Sequence, residues 1–187
     1  MASELHVDAI KHSGGTSAMT INSSGNVNIP GSIIQVVQTA LTSAVAVSAP
    51  TSFTDISGVS VAITPKFSSS KVLINVSLVA EAHTADFHTI FRLVRGSTAI
   101  GVGDANSSAP QGSFMVDSYG QGSLSGHSAS FHFLDSPSTT SATTYKIQVL
   151  AHSGTGDVYI GRNRYDNNGA NGPGRFPSII TAQEVAQ

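Results

Sequence analysis

Lys71-Val72-Leu73-Ile74-Asn75-Val76-Ser77-Leu78-Val79-Ala80 decides the fold. Val72, Ile74, Val76, Leu78 and Ala80 recur at every second position, and Asn75 and Ser77 help define the other face, so the stretch is a strand with one face turned to a core. Strand-like runs extend from it in both directions. Upstream, Phe53 to Thr64 places Ile56, Val59, Val61 and Ile63 inward and is stopped by Pro65. Ile33 to Thr39 is apolar on both faces, as expected of a strand buried at an interface. Downstream, Phe87 to Arg95 turns through Arg95-Gly96-Ser97 into Thr98 to Val102. His127 to Asp135 presents Ala129, Phe131 and Phe133 on one side, and Thr144 to Leu150 presents Tyr145, Ile147 and Val149. Val158 to Gly161 and Ser178 to Val185 complete the set. Ala40 to Ala49 reads as strand and loop, and Gly101 to Gly112 as a spacer. No convincing helix and no fixed-period repeat is present. Eight or more short strands separated by Gly, Ser, Asn and Pro predict an all-β fold, a sandwich or jelly roll and not a parallel α/β sheet.

A chain of 187 residues suits one domain with an appendage. Pro30-Gly31 marks the boundary, because proline removes a backbone donor and glycine frees the next dihedral. Residues 31–187 form the sandwich and residues 1–30 an extended β-rich segment. In the latter, Leu5 to Ile10 and Met19 to Ile21 are joined by Gly14-Gly15 and followed by Asn22-Ser23-Ser24-Gly25-Asn26, which is hairpin turn chemistry. Its apolar side chains, Leu5, Val7, Ile10, Met19, Ile21, Val27 and Ile29, are too few to close a core of their own. The segment is therefore expected to gain order against another chain, with these residues as the attachment set.

Composition narrows the function. Charged residues are only 11% of the chain and the net charge is −2, which supplies no basic field for nucleic acid. Cysteine is absent, so neither disulfides nor thiolate metal sites can form. No apolar run is long enough for a membrane-spanning helix, and the first twenty residues hold no signal-peptide core, so neither membrane insertion nor secretion by that route is expected. The seven histidines include His83, His88, His127 and His132, but on a strand His127 and His132 face opposite sides. No metal site and no cofactor is expected. Nucleophile elbows, dinucleotide fingerprints and phosphate loops are missing. Asp104, Asp117, Asp135, Asp157 and Asp166 fall mostly in predicted turns, where Asp bonds local amides. The chain is therefore read as non-enzymatic, with no catalytic residues. The richest recognition chemistry lies in the loop from Arg162 to Arg175, where Arg162, Arg164, Tyr165, Asn167, Asn168 and Arg175 could meet a protein or sugar partner. The competing reading is a loop whose Asn and Gly merely satisfy turn geometry or pack at a subunit interface.

Several stretches, in order, resemble a domain of phage tail-fibre and virion surface proteins. They are Phe53-Thr54-Asp55-Ile56-Ser57-Gly58-Val59 through Pro65, Ser68-Ser69-Ser70-Lys71-Val72-Leu73-Ile74, and Phe91-Arg92-Leu93-Val94-Arg95-Gly96-Ser97-Thr98. Phe133-Leu134-Asp135-Ser136-Pro137-Ser138-Thr139-Thr140, Thr144-Tyr145-Lys146-Ile147-Gln148-Val149 and Ser178 to Val185 follow. Ser3 to Ile10 and Met19 to Val27 are similar to the opening segment of such proteins. The resemblance implies a jelly roll of the C1q and tumour necrosis factor group, homotrimerisation and a place on a bacteriophage virion. Shaft repeats and heptads are missing between segment and domain. That favours a capsid decoration or cement protein, with the major capsid protein or another virion structural protein as partner. The alternative is a receptor-binding tail-fibre tip with a host-surface glycan as partner.

Overall fold

In the computed structural model, residues 5–82, 88–117, 126–151, 156–166 and 174–187 are described. They contain fourteen strands and no helix. The strands are β1 (Ala9–Lys11), β2 (Ser17–Ile21), β3 (Val27–Asn28), β4 (Ile33–Leu41), β5 (Val45–Val47), β6 (Thr54–Ile63) and β7 (Lys71–Ala82). They continue with β8 (His88–Arg95), β9 (Thr98–Ile100), β10 (Phe114–Asp117), β11 (His127–Asp135), β12 (Thr143–Ala151), β13 (Val158–Ile160) and β14 (Ser178–Val185). All strand pairings among the described residues are antiparallel.

Two sheets make the sandwich. In one, β4, β14, β7 and β11 lie side by side, with β13 and β5 continuing the places of β14 and β4 beside the far end of β7. In the other the order is β10, β8, β12, β6, with β9 beside the end of β8. Counting the eight long-range strands from β4, the first sheet runs 1-8-3-6 and the second 2-7-4-5. This interleaving of two Greek keys is consistent with a jelly roll.

Period-two patterning explains what lies between the sheets. Val72, Ile74, Val76, Leu78 and Ala80 of β7 are buried against Val59, Val61 and Ile63 of β6, Phe91 and Leu93 of β8, Tyr145, Ile147 and Val149 of β12, and Ile180 and Ala182 of β14, all in one cluster. In β6 the inward residues Ile56 and Val59 are three apart instead of two. A bulge sits there: Ser60 faces Lys146 while Asp55 faces Gln148. Gly58, at φ +83°, makes the bend, and a Cβ on it would meet Leu41 Cδ1 at 2.8 Å. On the β10–β11 side, Phe91, Phe114, Phe131 and Phe133 stack in sequence at 4.9, 5.6 and 6.4 Å between centroids and tie the two sheets together.

Three placements add to the sequence reading. β10 carries no obvious strand signal, because it is four residues long and follows a polar, glycine-containing loop, yet it pairs with β8 from Phe114 to Asp117. Among the described residues of the single chain, Ile33 to Leu41 is bonded only to β14, at the edge of its sheet, and Ile33 and Val36 are each 55% exposed. Asp117 sits in β10 and not in a turn, while Asp135, the last residue of the strand read over His127 to Asp135, closes β11 and is buried.

Candidate functional site

Of the attachment set, Ile10, Met19, Ile21 and Val27 lie on a separate small antiparallel sheet, in the order β1-β2-β3, and Ile29 directly follows it. Leu5 to Asp8 precede its first strand, which begins at Ala9. Asn22 organises the second turn: its Oδ1 accepts from the amides of Ser24 and Asn26, and its carbonyl from Gly25. No residue from Leu5 to Ala49 is buried; the first that is buried is Pro50. Leu5 is 82% exposed, Ile10 47%, Val27 42% and Ile29 46%, while Val7, Met19 and Ile21 are half-buried. The three strands meet the sandwich at its last residues: Asn28 Nδ2 donates to the Gln187 carbonyl, Gly31 N donates to Ala186 O, and Ala186 N returns a bond to Ser32 O. Beside that junction opens a groove of about 470 Å³ lined by Val27, Ile29, Ile33, Ile34 and, at its rim, Lys66.

A signal in the sequence marks this region more broadly than the attachment set does. From His12 to Thr54 there is not one Asp, Glu, Lys or Arg. That uncharged run includes β2, β3, β4 and β5 and the nine-residue free edge of β4.

Glu184 fastens β4 to the sandwich from within. It is fully buried; its Oε1 accepts from the amides of Lys66 and Phe67 and its Oε2 from Gln35 Nε2 at 2.6 Å. A second buried carboxylate, Asp135, accepts from Arg95 Nη1 at 2.9 Å and from the Tyr145 hydroxyl at 2.7 Å. Burial, and then the hydrogen bond to Asp135, push the Tyr145 hydroxyl far above the usual phenol range. Neither carboxylate could be located from spacing, since their partners lie 10 to 149 residues away on other strands and loops.

The outer faces of the two sheets differ. Opposite residues of an antiparallel pair share a face, so the strand registers give the rows on the β7 sheet. Val36, Gln183, Leu73 and Leu134 form one row, Gln38, Thr181, Asn75 and His132 the next, and Ala40, Ile179, Ser77 and Ser130 a third. These rows hold no Asp, Glu, Lys or Arg. On the β8 sheet, Lys146 Nζ and Gln148 Nε2 both donate to Asp55 at 2.7 Å, and these bonds hold its carboxyl below the usual range. Gln148 in turn accepts from Arg92, whose guanidinium lies 3.9 Å from the Phe53 ring centroid.

In the Arg162–Arg175 loop, the described side chains are engaged with the chain itself. Arg162 stacks over Tyr159 at 4.4 Å and donates to the carbonyls of Asn163 and Arg164. The Arg164 amide donates to Glu81, its guanidinium stands 4.0 Å from that carboxylate, and it also lies over Tyr165. Burial raises the Glu81 carboxyl above its ordinary range, while Arg164 opposes that shift. Arg175 pairs with Asp166. Asn167 and Asn168 lie outside the described residues, as does His83. Among the described residues no three of His, Asp and Glu are grouped as a metal ion would require.

The class so defined is an antiparallel β-sandwich with a coreless three-stranded β segment at one end. No protein-family model and no curated protein matches the chain. A chain in the structure of infectious bursal disease virus, Gx strain, is similar to it at 14% identity and a TM-score of 0.39, over 86% of this chain. The match takes in 40% of the viral chain.

Proposed function

We propose that the protein is a non-enzymatic structural component of a bacteriophage particle. It is a homotrimeric capsid decoration or cement protein whose first thirty residues anchor a sandwich knob to the shell. The observation that carries the anchor is the burial asymmetry: nothing from Leu5 to Ala49 is buried, and four of the seven attachment residues are more than 40% exposed. Strands that keep apolar side chains in water, without a core, are suited to pairing with another chain. The three uncharged rows on the outer face of the β7 sheet, between Lys71 at one end and the Glu81–Arg164 pair at the other, are suited to self-association, because covering them desolvates no ion pair. Three weak anchors on one rigid knob would then act together.

Two observations favour this reading over its alternatives. The buried carboxylates Glu81, Asp135 and Glu184 each accept from protein donors and are committed to the fold rather than to a substrate. Arg162, Arg164 and Arg175 are turned to their own chain, which leaves less for a glycan than the sequence of the loop suggests. The phage setting itself rests on the sequence resemblance. Gold-labelled antibody against the sandwich, applied to whole particles, is expected to decorate the shell; label confined to the tail would overturn the cement assignment.

A further inference from the structure

The β7 sheet ends on both sides in a free strand. Among the described residues β4 pairs only with β14, and β11 only with β7. Folded proteins blunt such edges with lysine, proline, bulges or covering segments. These two edges carry no lysine, arginine or glutamate, and each is nine residues long. The one acid, Asp135, is turned inward to Arg95 and Tyr145.

We propose that copies of this chain join edge to edge, β11 of one beside β4 of the next, so that the β7 sheets of three copies close into a triangular prism. This rests on the self-association reading above and names the surface and the reason for three. Strand direction permits it. The order β4, β14, β7, β11 alternates up and down, so a copy rotated about an axis parallel to the strands brings β11 antiparallel to the next β4. Charge permits it as well, since neither edge would bury an unpaired ion. The side-chain rows also meet: the row from Val36 through Gln183 and Leu73 ends on Leu134, and its two terminal residues are 55% and 45% exposed.

Size selects the number of copies. Four strands at a spacing of about 4.8 Å give a side of about 19 Å, and a triangle of that side keeps its walls about 5.5 Å from the axis, near half the ~10 Å at which sheets pack face to face. A square of the same side would hold its walls about 10 Å away and leave an unfilled channel. Along the three rows the residues brought nearest the axis are Gln183, Leu73, Thr181, Asn75, Ile179 and Ser77, none of them charged, and Lys71 stands at the end of the same face, opposite Val185.

The chain has no cysteine, so engineered cross-links report cleanly. Directly opposite residues on paired strands have Cα atoms about 4.5–5.5 Å apart, within disulfide reach. The full-length double variant Val36→Cys with Leu134→Cys, mildly oxidised, is expected to run as a covalent trimer on non-reducing gels, while each single variant runs as a monomer. Gln38→Cys with Leu134→Cys and Val36→Cys with His132→Cys cover a register shift of two residues in either direction caused by strand tilt. Sedimentation of the reduced protein separates the possible failures. A trimer that none of the three pairs cross-links overturns the edge joint and leaves self-association standing. Any species other than a trimer overturns both, and covalent ladders running past three overturn the closed prism.

Discussion

The three-stranded N-terminal sheet and the sandwich are built from the same vocabulary of Val, Ile, Thr, Ser and Asn, and they differ in what they bury. In the sandwich, alternating residues of two sheets meet, and Phe91, Leu93, Tyr145, Ile147 and Val72 are wholly inaccessible. In the N-terminal sheet one layer has no second layer to meet, and its apolar residues stay in water. Hydrogen bonding alone maintains a strand pattern; a core needs a facing surface. The difference places cohesion in the second region, and the proposed function gives attachment to the first.

Paired core deletions should expose that difference most strongly. Phe91→Ala removes a fully buried ring from the aromatic stack and is expected to cost about 3–5 kcal/mol in chemical denaturation, whereas Ile10→Ala should stay within about 0.5 kcal/mol. Equal losses would mean that the N-terminal sheet shares the core after all. A smaller effect tests the junction. Glu184→Leu leaves the Lys66 and Phe67 amides without their acceptor and takes from Gln35 Nε2 one of its two, the Thr64 carbonyl remaining, so a loss of about 1–3 kcal/mol is expected. Amide exchange should quicken in β4 more than in β12; protection in β4 as high as in the parent would show that Glu184 does not fasten it.

Much of this contrast was legible in the sequence, for identifiable reasons. Val72 to Ala80 keeps strict period two because both its neighbours and the facing sheet are apolar, and Ile56 to Val59 breaks the period where Gly58 bends the chain. The poverty of the first thirty residues in large apolar side chains anticipated a sheet with no interior. What could not be read was whatever depends on distant partners. β10 hides because Met115 faces water, and its place is fixed by distant partners: pairing with β8, burial of Val116 and the stacking of Phe114 on Phe91 and Phe131. Glu184 looks like an ordinary polar position near a strand end until Gln35, 149 residues away, is placed beside it. The arginines of the 162–175 loop advertise recognition in sequence, and only coordinates reveal that Glu81, Tyr159 and Asp166 occupy them. The uncharged run from His12 to Thr54 was visible throughout, yet its meaning depends on knowing that β4 is an edge.

Removal of residues 1–30 tests the division of labour most directly. The core cluster contains none of them, and the Gly31 and Ser32 bonds to Ala186 remain. The truncated protein should therefore sediment as the same oligomer as the parent, keep its β-sheet circular dichroism and melting temperature to within a few degrees, and fail to co-sediment with particles lacking the native protein. Truncated oligomers that still bind those particles would contradict the account.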